Sequence, residues 1–212
     1  MNQPSKQLVL VQLPRTARAS LATAFRSVGV DVHLPAPHEV AAVLQQVSAP
    51  AVAVLRHPVD RLQSWFNLRL RSGRPHRPQV WSDGEAALFS VLRTFDDLGH
   101  AVTHADEWMR SVGDRAVLEW SHGYQSLLQV LPDPSDDRVA IIDGFHDLPA
   151  AVASIAALIG CAVPALPDDA AIIDATPASL RGVPDELALM GLRIRYAEEI
   201  AHYRALLAMA RS

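Results

Sequence analysis

Lysine is almost absent from this chain. Lys6 is the only one, and the other eighteen of the nineteen basic side chains are arginine. A G-x-x-x-x-G-K-[ST] loop, whose lysine reaches the β- and γ-phosphates, is therefore excluded unless arginine takes its place. Cysteine is equally scarce. Cys161 stands alone, so neither an internal disulfide nor a multi-cysteine metal site can form. No run approaches the roughly 20 apolar residues of a membrane span. The opening MNQPSKQLVLVQLPRTARAS carries too short an apolar segment for a secretory signal. Excess positive charge is missing too: 19 basic against 23 acidic side chains leave −4. That removes a general nucleic-acid coat but still permits a local basic pocket. The expectation is a soluble cytoplasmic protein with neither nucleic acid nor membrane as partner and no metal.

What is present is globular. Of 212 residues, 50% are hydrophobic and 20% charged, the composition of one ordinary domain. Residues 7–13 (QLVLVQL) form a continuous apolar run ended by Pro14 and read as a buried strand. Leu21, Phe25 and Val28 then recur at helical spacing over 19–28, with Gly29 as a stop. A short strand over 30–33, a helix over 38–47 and a buried strand over 51–55 (AVAVL) follow. Pro58 opens the next helix, whose apolar face is Leu62, Trp65 and Phe66. Strands alternating with helices give an α/β fold, a parallel sheet covered by helices.

Residues 71–83 are rich in proline and arginine and read as a loop. Helices are expected over 85–98, 102–112 and 125–131, with a short strand over 116–120. A fourth buried strand is expected over 138–143, a helix over 148–159 and a proline-bearing crossing over 161–184. Leu189, Leu192, Tyr196, Ile200, Tyr203 and Leu207 step by three or four and predict one long closing helix. The organisation reads as one domain over 1–212, with a helical insertion over 72–130.

Two places gather the chemistry. The first strand runs into Pro14-Arg15-Thr16-Ala17-Arg18-Ala19-Ser20 and then a helix. Such a junction aims backbone N–H groups and the positive end of a helix at one point, which suits a phosphate. Arg15, Thr16 and Ser20 add side-chain donors. The second place is Arg56-His57-Pro58-Val59-Asp60-Arg61-Leu62-Gln63-Ser64. Arg56 leaves the carboxyl end of a strand, where ligands bind in open α/β sheets. Its forked guanidinium suits a phosphate monoester, and Arg61 and Ser64, three apart, share a helix face.

Together PRTARASL and VLRHPVDRLQSWFN resemble the motif pair of the sulfotransferase family, particularly its carbohydrate-modifying branch. That family's first motif reads approximately P-K-T-[AG]-[GT]-T-S-L and grips the 5′-phosphosulfate of the donor PAPS. Its second reads approximately V-R-[DN]-P-x-x-R-x-x-S and grips the donor's 3′-phosphate. The resemblance implies a P-loop-like fold and PAPS as sulfuryl donor. It implies a donor loop of Arg15, Thr16, Ala17, Arg18, Ala19 and Ser20, with Arg15 at the family's lysine. It also places Arg56 and Ser64 on the 3′-phosphate, with Arg61 supporting their helix. Weaker similarity covers residues 120–125 (WSHGYQ), 138–160 and the closing helix.

The implied reaction is in-line sulfuryl transfer to a hydroxyl or amine of a small-molecule or carbohydrate acceptor. Cations stabilise the leaving phosphate, Arg15 among them, and a base removes the acceptor proton. His33 is the first candidate base, then His38 or Glu39, and His122 is a candidate substrate contact. Arg18 stands where the family prefers a small residue, and Ala19 lacks the family's hydroxyl. These departures carry the alternative, a degenerate member that keeps the fold as a binding or scaffold protein. A nucleotide kinase-like enzyme is disfavoured by the missing loop lysine. His100 and His104 lack the glutamate of H-E-x-x-H.

Overall fold

A computed structural model describes residues 6–11, 15–72, 78–124, 126–131, 138–143, 147–167 and 184–210, excepting the side chains of Pro37 and 119–124. In chain order the elements are β1 (Gln7–Leu10), α1 (Arg18–Ser27), β2 (Asp31–His33), α2 (Val40–Gln46), β3 (Ala51–Leu55) and α3 (Pro58–Leu70). Next come α4 (Asp83–Val91), α5 (Phe95–Ala101), α6 (Glu107–Tyr124), α7 (Leu127–Val130) and β4 (Val139–Asp143). α8 (Leu148–Ile159), α9 (Glu186–Arg195) and α10 (Ala197–Ala210) close the chain. They fall into two compact units. Met1–Arg56, Ser126–Ile172 and Ala201–Ser212 make the first; His57–Gln125 and Ile173–Ile200 make the second. Of the expected insertion, 72–125 belong to the second unit and 126–130 to the first.

The first unit holds a four-stranded sheet in the order β2-β1-β3-β4, parallel throughout. The two central strands, β1 and β3, read as apolar runs because both faces are covered. Leu8 and Leu10 of β1 with Val52 and Val54 of β3 face α1 and α8, packing on Leu21, Phe25, Val152 and Ile155. Val9, Ala51, Ala53 and Leu55 face the other way, onto Val40, Leu127, Val130, Tyr203 and Leu206. Burying each large apolar side chain contributes roughly 1.5–3 kcal/mol. The covering helices sit where right-handed crossovers put them, α1 on one face for the step β1 to β2, α2 on the other for the step back across β1 to β3.

The second unit is helical. Phe66 of α3 is fully buried and meets Phe89 and Phe95 edge to face, with centroids 5.6 and 5.7 Å apart. α5 and α9 cross at backbone contact, since a Cβ on Gly99 would lie 2.5 Å from the Ala188 Cβ and one on Gly191 2.5 Å from the Gly99 carbonyl oxygen. Two charged pairs are buried here. The Arg61 guanidinium, 0% exposed, lies 3.4 Å from the Glu199 carboxylate. Arg69 grips Glu85 with two parallel N–H donors, one at 2.5 Å, and Glu85 also closes the capping box of α4 with Ser82.

Four expectations change. Residues 116–120 are helical, not a strand: they lie within α6, where Met109, Val112 and Ala116 follow a 3.6-residue period into the core. The helix expected over 85–98 is two, α4 and α5. Thr94 and Asp97 form a capping box, and Asp97 takes the Arg93 and Thr94 N–H groups at 2.8 Å each, so the chain restarts there. The closing helix is also two, α9 ending on Tyr196 and α10 following. Likewise residues 102–106 are a turn, and Asp106 Oδ1 accepts the Met109 N–H at 3.0 Å as α6 begins. The remaining strands and helices lie close to their expected positions. Residues 12–14 of the first apolar run and 168–183 of the proline-bearing crossing lie outside the described residues.

Candidate functional site

The strand order singles out one place in the sheet. From β1 the chain crosses to β2 on one side, then returns to β3 on the other, so its direction reverses between β1 and β3. In an open parallel sheet such a reversal opens a crevice outside the carboxyl ends of the two central strands. Residues 15–20 leave β1 at that end and Arg56 leaves β3 at that end. The two meet. Arg56 Nη1 donates to the Arg15 carbonyl oxygen at 3.2 Å, across 41 residues of sequence.

The turn is tight. Arg15 (φ 67°) and Ala17 (φ 58°) both adopt left-handed backbone, which costs an L side chain roughly 1–2 kcal/mol each. Ala17 is the N-cap of α1 and offers its first N–H groups no side-chain acceptor. Alternating left- and right-handed residues turn successive N–H groups toward one point, the concavity that binds anions. Thr16 and Ser20 are buried at 3% exposure, so their hydroxyls belong to the turn and the first turn of α1. Ala19 and Arg18 are exposed. Arg18 points outward, and its pKa is lowered, first by partial burial and then by repulsion from Arg26. Two cations on one helix without a described carboxylate between them make the α1 surface positive.

The other expected residues sort as follows. His33 ends β2, paired in register with Val9 of β1, and its Nε2 lies 3.4 Å from the Asp31 carboxylate. Asp31, two residues earlier and thus on the same strand face, is a partner that the sequence reading passed over. Its signal was the D-x-H spacing in a strand. His38 is exposed in a 3-10 turn (Pro37–Glu39), and Glu39 uses its carboxylate to accept the Ala36 N–H at 2.8 Å. Ser64 is buried at 5% on α3, one turn from Arg61, and both belong to the second unit. Arg61 is committed to Glu199, which supports α3 from within. His57 caps that helix, its Nδ1 accepting the Val59 N–H at 3.3 Å. The side chain of His122 lies outside the described residues.

His100 and His104 are used locally. His100 Nε2 lies 2.8 Å from Asp185, and His104 Nδ1 accepts the Asp106 N–H at 3.0 Å. Among the described residues no helix is long and apolar enough to cross a membrane. No family model, curated protein or solved structure matches this chain.

Proposed function

We propose that the chain is a PAPS-binding protein of sulfotransferase type, with a P-loop-like fold, that transfers a sulfuryl group to a hydroxyl or amine. The observation carrying this is the meeting of Arg56 with the Arg15 carbonyl at the β1/β3 reversal. It joins the two segments whose sequences resemble the family's 5′-phosphosulfate and 3′-phosphate motifs. The residues present suit such a donor. Left-handed Arg15 and Ala17, the Thr16 and Ser20 hydroxyls and the bare start of α1 provide N–H and O–H groups for one anionic group. Arg56 provides a bidentate fork for a second. The outward course of Arg18 leaves room that a small residue provides in the family pattern.

PAPS supplies an activated sulfuryl group. The acceptor oxygen or nitrogen bonds to sulfur as the bond to the phosphate oxygen breaks, leaving adenosine 3′,5′-bisphosphate. Arg15 stabilises charge on the leaving phosphate, and His33, beside the Asp31 carboxylate, takes the acceptor proton. A second reading, donor binding without transfer, draws on Ala19, where the family's hydroxyl is gone. Calorimetric titration with adenosine 3′,5′-bisphosphate and with adenosine 5′-phosphate tests the site. The bisphosphate is expected to bind at least tenfold tighter, about 1.4 kcal/mol. Equal affinities, or binding of neither, contradict the reading. Transfer of sulfate from PAPS to any of a panel of phenols, amines and sugars then separates enzyme from binder.

A further inference from the structure

α9 carries large apolar side chains on its outer face as well as apolar residues on its inner one. Inside lie Ala188, Gly191 and Leu192, small enough at two positions for backbone contact with α5. Outside lie Leu187, Met190 and Ile194, exposed at 57, 50 and 64%. They are spaced three and four apart, so they form one stripe along the helix. A continuous exposed stripe of this kind marks an interaction surface.

The charges beside the stripe point to its occupant. Glu186 opens α9 and Arg193 stands near its end, both exposed and both on the same flank of the stripe. Neither has an ion-pair partner among the described residues. If the stripe is laid antiparallel on a copy of itself, Leu187 meets Ile194, Met190 meets Met190, and Glu186 meets Arg193, each twice by symmetry except the central methionine pair. We propose that the occupant is a second copy of this chain, docked α9 to α9 about a two-fold axis. In such an isologous contact one patch complements itself, and the acidic start and basic end of α9 supply that self-complementarity. Three apolar side chains fall short of the roughly 800 Å² per partner of a standard interface, so the dimer is weak and exchanges readily.

Sedimentation velocity from about 1 μM to about 1 mM tests this. The native chain is expected to pass from monomer to dimer across that range, and Met190→Lys to remain monomeric with an unchanged circular dichroism spectrum. Glu186→Arg alone and Arg193→Glu alone each set like charges opposite one another and weaken association by roughly tenfold. Mixing the two variants restores it, because both charged contacts of the mixed dimer then join an acidic side chain to a basic one. A native chain that stays monomeric at about 1 mM overturns the proposal. So does a dimer indifferent to Met190→Lys, or one that the mixture fails to restore.

Discussion

Arg15 and Ala17 carry much of the site by backbone alone. Each holds a left-handed φ that glycine would adopt freely, at roughly 1–2 kcal/mol, while glycine's extra entropy loss returns about 0.5–1 kcal/mol. Ala17→Gly is therefore expected to stabilise the chain by about 0.5–1 kcal/mol, read as a higher denaturant midpoint. A lower midpoint would mean that the turn is not left-handed there. Elsewhere a buried pair sets the scale. Removing one partner of Arg69–Glu85 leaves the other charge buried, so Arg69→Ala is expected to cost about 3–5 kcal/mol, against less than about 1 for an exposed pair. Chemical denaturation of the variant measures it. The residue types of this turn could be read from sequence, but its conformation could not, because neither position carries the glycine or asparagine that announces positive φ.

At the scale of elements, what could be read depended on whether one signal was sufficient. β3, α3 and α8 were recoverable because an apolar run or a proline marked each boundary. Residues 116–120 misled because five residues with several apolar side chains fit either period. The longer spacing Met109, Val112, Ala116 decides for helix. The division of α4 from α5 was written in the sequence as Thr94-x-x-Asp97, but a continuous apolar pattern across it hid the cap. That cap is expected to contribute about 1 kcal/mol, so Thr94→Ala should lower stability by that amount while Thr94→Ser leaves it nearly unchanged. Packing of α5 on α9 is more demanding. A methyl on Gly191 meets backbone at 2.5 Å, and Gly191→Ala is expected to cost about 1–3 kcal/mol by thermal denaturation.

The two units could not be read from sequence because each is assembled from distant segments, three for the first and two for the second. The second unit holds two groups whose titration is displaced in opposite directions. In the second unit, burial works to raise the Glu85 pKa, but the hydrogen bonds from Arg69 and Ser82 prevail and hold it below the ordinary carboxylate value. A depressed carboxylate contributes stability that is complete above its unfolded value, about 4.3, and is lost as pH falls through the folded one. The second unit should thus loosen below about pH 4, and Glu85→Gln should remove part of that acid sensitivity. At the other end, burial and then Glu199 push the Tyr196 hydroxyl well above its ordinary range. Stability from that group is complete below about pH 10 and declines as pH rises beyond it.

The central claim belongs to the first unit, where the segments following β1 and β3 meet through Arg56 and the Arg15 carbonyl. Its most direct test is the melting temperature of the native chain and of Arg56→Ala with adenosine 3′,5′-bisphosphate. At about 100 times the dissociation constant, the ligand should stabilise the native chain by about 2.7 kcal/mol, a rise of about 5–10 °C. In Arg56→Ala the rise should vanish. No shift for the native chain at millimolar ligand, or an equal shift in the variant, would contradict the account.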